Sequence, residues 1–285
     1  MTFKKSITIY QKFKTNKFLE LLKRFIPKLK GYWLPLKYLF KLLPSKFKTL
    51  IDFGDFQFSI PIDLSDPYQL DIFFKDKYEL LEPWIITKLL PEDGIFFDVG
   101  ANCGWYTRIV STCKPNSLIF AFEPNKVSFE FLKEFCGNNV ITLPAAVGED
   151  SSEKVSAKNP FYKQPSGSYM INSKTGVSVI SLDDFSKRLN LKPNFIKIDV
   201  EGYEIKVLNG ASNLLKFIDH ILIEVNSPIS AKNCSYNFKS IYELMNKNGL
   251  NYAYDIRNGT NEIIEIKKNI LGSILFSRIE LKKYF

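Results

Sequence analysis

The sequence predicts an α/β protein built on a Rossmann-like, doubly wound and mostly parallel sheet. Five apolar runs of four to six residues have the length of buried strands, and they cover 95–99, 118–122, 140–143, 195–199 and 220–225. Segments with apolar residues at helical spacing separate most of these runs, for example KVSFEFLKEFC and YEIKVLNGASNLL. Short apolar strands that alternate with helices are typical of a parallel sheet covered on both faces.

A basic amphipathic segment, residues 1–48, precedes the sheet. The first fifty residues contain 13 Lys or Arg and one acid, Glu20, whereas the rest of the chain contains 26 basic and 29 acidic residues. Apolar residues recur at helical spacing between the lysines, so the segment is predicted to be helical. Two interpretations stay open for residues 16–43: peripheral contact with an anionic membrane face, or docking of the apolar stripe on the following domain. No nucleic-acid partner is expected, because no motif of a nucleic-acid-binding fold follows the basic segment.

The sequence also indicates a cytoplasmic protein. Lysines break the apolar runs of the basic segment far short of the roughly 20 residues that a membrane span needs. No secretory pattern of an apolar core and a small-residue cleavage site stands near the start. The cysteines lack the short spacings of a metal clamp, and we expect reduced thiols at Cys103, Cys113, Cys136 and Cys234.

Other elements are expected before and within the sheet. The alternating stretch 49–63 predicts a small β-hairpin that turns at Gly54. Helical spacing over 77–94 predicts a helix whose end is marked by Pro91 and Gly94. Residues 49–285 are predicted to form one domain. Its longest polar and turn-rich stretch, 148–176, is expected to be a loop that shapes the substrate pocket.

The stretch IFFDVGANCGWYT joins the first strand of the sheet to a helix through a turn with two glycines. Its pattern, Asp98-x-Gly100-x-x-x-Gly104, differs from the Gly-x-Gly-x-x-Gly turn of dinucleotide-binding folds, in which a helix amino end faces a pyrophosphate. A carboxylate at Asp98 would repel a pyrophosphate and would suit the cationic end of a ligand. Glu123 ends the second strand, 19 residues beyond Gly104, where an acid of such a sheet accepts hydrogen bonds from a ribose diol. S-adenosylmethionine carries a ribose and cationic groups and has no phosphate.

The motifs FFDVGANCGWYT, FAFEPN, PAAVG, VISLDDF and FIKIDVEGYEIKVLNGA, in this order, resemble the FkbM-type family of S-adenosylmethionine-dependent methyltransferases. The resemblance is strongest over 95–226, and it implies the class I methyltransferase type of the predicted sheet. It also implies a cofactor site. The methionine end would be lined by Asp98, Gly100, Ala101, Asn102 and Gly104. Glu123 would bind the ribose, and Ala146 and Val147 would flank the adenine. Tyr106 and Pro124 complete the predicted cofactor contacts.

Catalytic candidates lie at the end of the fourth strand. Methyl transfer to a hydroxyl needs alignment of the reacting groups and removal of the hydroxyl proton. Asp199 is the preferred base or substrate-orienting group, and Glu201 is the next candidate. Cofactor contact by Asp199 and helix capping by Glu201 stay open as alternatives. Lys197 points to the same face as Asp199 and completes the catalytic set, as a charge partner more than as a catalyst.

Other polar groups near these strands have simpler explanations. Glu224, near the end of the fifth strand, could join Asp199 around a divalent ion, but two carboxylates are few ligands and no metal is predicted. His220, the only histidine, opens the fifth strand and is expected to be structural. Asp183 and Asp184 are predicted to cap a helix.

We therefore expect an enzyme that uses S-adenosylmethionine to methylate a hydroxyl of a small molecule or glycan. The family resemblance implies a sugar hydroxyl of a surface glycan or a related metabolite. Methylation of nitrogen stays open, because an acid that binds an amine would serve as well. A nicotinamide-dependent oxidoreductase on a similar sheet is disfavoured by Asp98. A non-catalytic module is disfavoured by the intact set of Asp98, Gly100, Gly104 and Glu123.

Overall fold

The computed structural model describes residues 46–53, 55–63, 66, 69, 72, 79–134, 137–158, 169–225, 238–256 and 272–281. The basic segment 1–48 lies outside these residues except for its last three positions, and so do the stretch 16–43 and the predicted turn residue Gly54. Within the described residues, no helix combines the length and the apolar composition that crossing a bilayer requires. Cys103 and Cys113 are free thiols, and the other two cysteines lie outside the described residues.

Strands and helices alternate along most of the described chain. The strands are β1 (Lys46–Phe53), β2 (Phe56–Asp63), β3 (Ile95–Val99), β4 (Leu118–Phe122), β5 (Val140–Leu143), β6 (Ala146–Val147), β7 (Lys154–Lys158), β8 (Tyr169–Asn172), β9 (Val177–Ile180), β10 (Phe195–Ile198), β11 (His220–Val225), β12 (Tyr252–Asp255) and β13 (Gly272–Ser277). The helices are α1 (Leu81–Leu89), α2 (Trp105–Cys113), α3 (Lys126–Glu134), α4 (Leu182–Leu189), α5 (Glu204–Asn209) and α6 (Phe238–Lys247), with a 3₁₀ helix at Leu214–Lys216.

The central sheet has the strand order β12-β13-β11-β10-β3-β4-β5. Strands β5, β4, β3, β10 and β11 run parallel, while β13 lies antiparallel between β11 and β12. All five predicted strands are present, although the fourth ends at Ile198, one residue earlier than predicted. The chain moves outward from β3 to β5 and then returns to β10 on the other side of β3, which creates the switch point where such sheets bind ligands. The predicted Rossmann-like, doubly wound sheet is confirmed.

Apolar side chains bury the sheet on both faces. In β3, Phe96 packs with Ile109 of α2 on one face. Its neighbour Phe97 belongs to the apolar cluster of the other face, together with Met245 of α6. Successive side chains of a strand point to opposite faces, so a strand covered on both sides is apolar at nearly every position. That is the pattern from which these strands were predicted.

The predicted hairpin is present as the antiparallel pair of β1 and β2. All eight residues of β2 have partners in β1, and the first pair is Lys46 with Asp63. The hairpin therefore starts three residues before the predicted boundary at residue 49. Phe58 of β2 packs against Trp105 at the start of α2, with ring centroids 6.0 Å apart. The hairpin thus supports the helix that follows the glycine turn.

The stretch 148–176 contains strands, contrary to the prediction of a loop. Strands β7 and β8 pair with each other, and with β6 and β9 they form a four-stranded sheet in the order β6-β9-β7-β8; residues 159–168 lie outside the described residues. Val155 of β7 is fully buried, whereas Lys154 is exposed and Ser156 is half-buried. These three positions offer a single apolar side chain, too little for an alternating pattern to be recognised.

Candidate active site

The candidate site lies where neighbouring parallel strands end at one edge of the sheet. Ile198 of β10 pairs with Val99 of β3 on one side and with Ile223 of β11 on the other. The residues that follow along these three strands are therefore neighbours, namely Gly100, Asp199 and Glu224. Glu123 follows β4 at the same edge. The structure thus brings together side chains that are more than 100 residues apart in the sequence.

The two glycines of the turn are required by the packing of neighbouring segments. Gly100 and Gly104 have left-handed φ values of 77° and 88°, which glycine adopts without the steric cost of a Cβ atom. A Cβ atom on Gly100 would lie 1.8 Å from the carbonyl oxygen of Asp199, and one on Gly104 would lie 2.8 Å from Leu132 Cδ1. Gly100 therefore lets the ends of β3 and β10 pack together, and Gly104 lets the turn pack against α3.

Backbone amides of the turn are bonded within the protein. Four of them donate hydrogen bonds: Gly100 and Ala101 to the carbonyl oxygen of Phe122 (3.0 Å each), Asn102 to Glu123 Oε2 (2.8 Å), and Gly104 to the carbonyl oxygen of Ala101 (2.8 Å). A phosphate-binding turn directs its amides at the ligand instead. This arrangement disfavours a dinucleotide and agrees with a cofactor that has no phosphate.

Glu123 joins the ends of two strands through its carboxylate. Oε2 accepts from the amide of Asn102 (2.8 Å), and Oε1 accepts from the amide of Asn125 (2.7 Å); Pro124, between them, is half-buried. Burial outweighs these hydrogen bonds and raises the pKa of Glu123 to about 7. Each carboxylate oxygen has a second lone pair, so the fixed side chain keeps the capacity to accept from a diol.

Lys197 is the buried cation of the site. Its Nζ lies 3.2 Å from Asp199 Oδ2 and 3.5 Å from Asp98 Oδ1. It also donates to the carbonyl oxygen of Gly100 at 3.1 Å and lies 4.6 Å from the ring centroid of Tyr106. Burial lowers the pKa of Lys197, but the charges of Asp199 and Asp98 outweigh it and raise the pKa above the ordinary value. A lysine held in this way remains protonated, so its contacts are those of a charge partner and not of a base.

Asp98 acts inside the protein. Its side chain is fully buried, and Oδ2 accepts from Thr107 Oγ1 at 2.5 Å. The other oxygen faces Lys197. Thr107, in the first turn of α2, had not been identified from the sequence. The predicted contact of Asp98 with the methionine end stays a prediction, whereas its role in holding Lys197 follows from these contacts.

Carboxylates crowd the open end of the site. Asp199 is 20% exposed, and Glu224 lies beside it, because the residues that precede them, Ile198 and Ile223, are register partners. The charge of Asp199, followed by burial, raises the pKa of Glu224 to about 10. Glu201 has a left-handed φ of 53°, and burial, followed by the charges of Asp199 and Glu204, raises its pKa to about 7. Asp199 is therefore the carboxylate at this end that Lys197 contacts, while Glu224 holds a proton at neutral pH.

Two glutamates of the site were missed by sequence analysis. Glu204 is fully buried, and its Oε1 accepts from the amide of Gly202 at 3.0 Å. Its place in the motif KIDVEGYE, at the start of a helix, was the available signal. Glu79 precedes α1 and accepts from Tyr106 Oη at 3.0 Å, while its carbonyl oxygen accepts from Trp105 Nε1 at 3.4 Å. No local pattern singles out Glu79.

The residues predicted at the adenine lie in the second sheet. Ala146 and Val147 form β6, which pairs with β9, and both are 3% exposed. Ala146 packs with Val155 and Val179, and Val147 joins one of the two main apolar clusters. Their contact with adenine stays a prediction.

His220 lies at the other edge of the central sheet. It opens β11 opposite Phe195, the first residue of β10, and its Nδ1 lies 3.1 Å from Ser277 Oγ. Burial lowers the pKa of His220 to about 4, so the ring is neutral at physiological pH. These contacts agree with the predicted structural role.

The two acids in the first turn of α4 serve different helices. Ser181 is the N-cap of α4 and accepts from the amide of Asp184 at 3.4 Å. Asp183 instead accepts from the amides of Asn213 (2.8 Å) and Leu214 (2.9 Å) at the start of the 3₁₀ helix. Helix termini therefore account for Asp183, and Asp184 adds a negative charge to the first turn of α4.

The site has a carboxylate that could remove a proton, at the same edge of the sheet as Glu123. Asp199 is partly exposed and contacts Lys197 at 3.2 Å, so it is accessible and oriented, as a general base must be. Among the described residues, no group of three or more His, Cys, Asp or Glu side chains is arranged to hold a metal ion. Orientation of a substrate and acid–base catalysis are within the chemistry of Asp199 and Lys197.

Comparison with known proteins places the chain in a family. The model of the methyltransferase FkbM domain matches residues 98–255, more than half of the chain. Hexuronic acid methyltransferase AglP of Haloferax volcanii is 32% identical over 145 residues, which are 50% of this chain and 59% of the relative. Methyltransferase 1 of Beauveria bassiana is 28% identical over 185 residues, 55% of this chain and 74% of the relative. The aligned part thus spans less than two thirds of the Haloferax protein.

One solved structure is also similar to this chain. The crystal structure of methyltransferase FkbM from Methylobacillus flagellatus KT is 15% identical, with a TM-score of 0.43, over 74% of this chain and 55% of that chain. The family match covers the glycine turn, Glu123 and the carboxylates at the ends of β10 and β11. The protein therefore belongs to the methyltransferase FkbM domain family.

Proposed function

We propose that the protein is an S-adenosylmethionine-dependent methyltransferase that methylates a hydroxyl group on a sugar of a surface glycan or a related metabolite. The observation that carries the proposal is the closure of the glycine turn on Glu123 through the Asn102 amide. This hydrogen bond holds an acid at the predicted ribose position, while the other amides of the turn donate to carbonyl oxygens within the protein. Family membership supports methyl transfer, and the name of the Haloferax relative, a hexuronic acid methyltransferase, supports a sugar as the acceptor.

The residues fit the chemical parts of this cofactor. Glu123 has free lone pairs for the two ribose hydroxyls. The positive amino end of α2 follows Gly104 and suits a carboxylate, while the nearby acids suit an ammonium group. When bound, the cofactor supplies an electrophilic methyl group on a sulfonium.

Asp199 and Lys197 would then act on the acceptor. Asp199 takes the proton of the acceptor hydroxyl as the new bond from oxygen to the methyl carbon forms and the bond from that carbon to sulfur breaks. Lys197 fixes the Asp199 carboxylate at 3.2 Å, so that its orientation is set before the substrate binds. Because Glu224 holds a proton, it adds no second negative charge beside the base.

Calorimetric titration with S-adenosylhomocysteine tests the cofactor assignment, with the oxidised nicotinamide dinucleotides as controls. We expect micromolar binding of S-adenosylhomocysteine and loss of binding in Glu123→Ala. Glu130→Ala, which changes an exposed glutamate of α3 that pairs with Lys133, should bind like the wild type. Preference for a dinucleotide, or equal binding by Glu123→Ala, would overturn the assignment. Methyl glycosides as acceptors then test transfer to oxygen, with mass spectrometry and NMR locating the methyl group.

A further inference from the structure

The ring of Tyr106 lies against the ammonium group of Lys197. Nζ of Lys197 is 4.6 Å from the ring centroid, within the range in which the electron-rich face of an aromatic ring attracts a cation. Both side chains are buried, and this attraction is strongest where water is excluded. The ring is therefore one more contact of the ammonium, beside Asp98, Asp199 and the carbonyl oxygen of Gly100. Movement of the ring would change the position of Nζ relative to Asp199.

Glu79 holds the hydroxyl end of this ring. Tyr106 Oη donates to Glu79 Oε2 at 3.0 Å, and a carboxylate forms a stronger hydrogen bond than a neutral acceptor does. The carbonyl oxygen of Glu79 accepts from Trp105 Nε1 at 3.4 Å. Trp105 and Tyr106 are the first two residues of α2, so one residue outside that helix contacts both. These hydrogen bonds set the direction in which the Tyr106 ring points.

The backbone of Glu79 has a conformation that few residues other than glycine adopt. Its φ is 36°, in the left-handed region where a Cβ atom is crowded. Asn102 and Glu201, both in motifs of the site, also have positive φ values, whereas Asn190 is the C-cap of α4. Such conformations cost free energy, persist only where the surroundings enforce them, and cluster at functional sites. The strain at Glu79 is thus a second indication that its exact position matters.

Packing of α1 on α2 supplies a rigid base for Glu79. The helix α1 begins at Leu81, two residues after Glu79. Ile85 and Ile86 of α1 lie in the same apolar cluster as Trp105 of α2. Side chains that are supported by packed helices are held more precisely than those on free loops.

We propose that Glu79 is a positioning residue for methyl transfer: by fixing the Tyr106 ring, it holds the Lys197 ammonium where that group orients the Asp199 carboxylate. This inference rests on the proposed function, because it concerns the proposed base of the same site. The contacts measure 3.0 Å from Glu79 to Tyr106, 4.6 Å from Lys197 to the ring centroid, and 3.2 Å from Lys197 to Asp199. Loss of the first contact should therefore disturb the chemical step and leave cofactor binding intact.

Nuclear magnetic resonance tests this arrangement without an acceptor. In the full-length protein labelled with ¹⁵N-lysine, a buried ammonium exchanges its protons slowly enough to be observed, and absence of the signal in Lys197→Met assigns it. We expect this signal upfield of the usual range of lysine ammonium protons, because protons above the face of an aromatic ring are shielded. Glu79→Ala should move it downfield. Glu79→Gln, which keeps an acceptor oxygen for Tyr106, should leave it in place.

A second pair of variants acts on the hydroxyl alone. Tyr106→Phe keeps the ring and removes its hydrogen bond to Glu79, so it should also move the Lys197 signal downfield, and it tests the inference even if Glu79→Ala does not fold. Tyr242→Phe is the matched control, because the Tyr242 ring packs with Phe238 and Phe276 elsewhere in the protein. It should leave the signal unchanged.

Kinetics then tests the effect on the proposed base, with methyl glucuronide as the acceptor. In Glu79→Ala and Tyr106→Phe, kcat should fall at least about tenfold, since a small displacement of a catalytic group costs that much. The Kd of S-adenosylhomocysteine should stay within about twofold, and Glu79→Gln should recover most of kcat. Glu92→Ala, which removes an exposed glutamate that pairs with Lys114, should behave like the wild type. Thermal unfolding checks that each variant is folded.

Other results would overturn the inference. These are a Lys197 signal that stays in place in both Glu79→Ala and Tyr106→Phe, an unchanged kcat in both, or a Glu79→Gln variant as slow as Glu79→Ala. A loss of affinity for S-adenosylhomocysteine as large as the loss of kcat would assign Glu79 and Tyr106 to the cofactor instead. Failure of the wild type to bind S-adenosylhomocysteine or to methylate the glycoside would count against the proposed function. The resonance comparison needs neither and would still decide whether Glu79 sets the position of Lys197.

Discussion

Removal of the Lys197 cation tests whether the buried charge network builds the site. Its Nζ lies within 3.5 Å of Asp199 and Asp98, and Asp98 is fully buried. Lys197→Met keeps an unbranched side chain and removes the charge, which leaves Asp98 buried with Thr107 as its hydrogen-bond donor. Breaking a buried pair by removing one partner costs about 3–5 kcal/mol. We therefore expect the free energy of unfolding to fall by about 3–5 kcal/mol.

Urea unfolding at pH 7, followed by circular dichroism, measures this loss. The folded-state pKa of Lys197 is raised above its unfolded value of 10.5, so the stabilisation is fully present below that value and is lost only as the pH rises through the folded pKa. The double variant Lys197→Met/Asp98→Asn should recover about 2 kcal/mol or more, because it removes the unpaired buried charge. Lys88→Met, an exposed lysine 5.7 Å from the ring centroid of Trp84, should change stability little.

A fall of less than about 1 kcal/mol in the free energy of unfolding of Lys197→Met would refute this reasoning, since an uncompensated buried carboxylate destabilises the folded state by more than that. The double variant gives a second, independent check. If adding Asp98→Asn destabilised the protein further, then Asp98 would be stabilising for reasons other than its pairing with Lys197.

Three further predictions concern other residues of the site. Affinity for S-adenosylhomocysteine should fall by up to about tenfold per pH unit below pH 7, because the pKa of Glu123 is raised to about 7 and only the ionised acid accepts from both ribose hydroxyls. Calorimetry at a series of pH values measures this fall, which should be absent in Glu123→Gln. Gly100→Ala places a Cβ atom 1.8 Å from the Asp199 carbonyl oxygen, so thermal unfolding should reveal a loss of more than about 2 kcal/mol, and an unchanged melting temperature would contradict this account. Glu204→Ala leaves the Gly202 amide without its acceptor, so the free energy of unfolding should fall by about 1–3 kcal/mol. The variant should also lower kcat without changing cofactor affinity, whereas Glu204→Gln should keep most of the stability.

Parts of the structure that depend on local pattern could be predicted from the sequence. The strands of the parallel core are apolar at nearly every position because both faces are covered, and the acids that end them fall at the edge where ligands bind. This reasoning predicted Glu123 and Asp199 at the ends of their strands, where the structure has them. The four-stranded sheet was missed because β7 buries few apolar side chains, so its sequence has the composition of a loop.

Contacts between distant segments could not be predicted in the same way. Glu79 enters the site because α1 packs beside α2, which brings its carboxylate within 3.0 Å of Tyr106 Oη. Nothing in the sequence around Glu79 depends on Tyr106, so no spacing rule connects them. The hydrogen bond from Thr107 to Asp98 is local in sequence, but it depends on the direction in which α2 leaves the turn.

The glycine turn links these two levels of prediction. Its spacing predicted a ligand site, and the structure adds a second reason for glycine at this position, which is the neighbouring strand. Gly100 leaves room for the Asp199 carbonyl oxygen, and its own carbonyl oxygen accepts a hydrogen bond from Lys197. The turn therefore sets the distance between the proposed cofactor site and Asp199, the proposed base. A substitution at Gly100 should then displace Asp199 through β10 as much as it weakens binding of the cofactor. The glycine that the motif requires for its expected ligand is thus also required by the packing that aligns the proposed base.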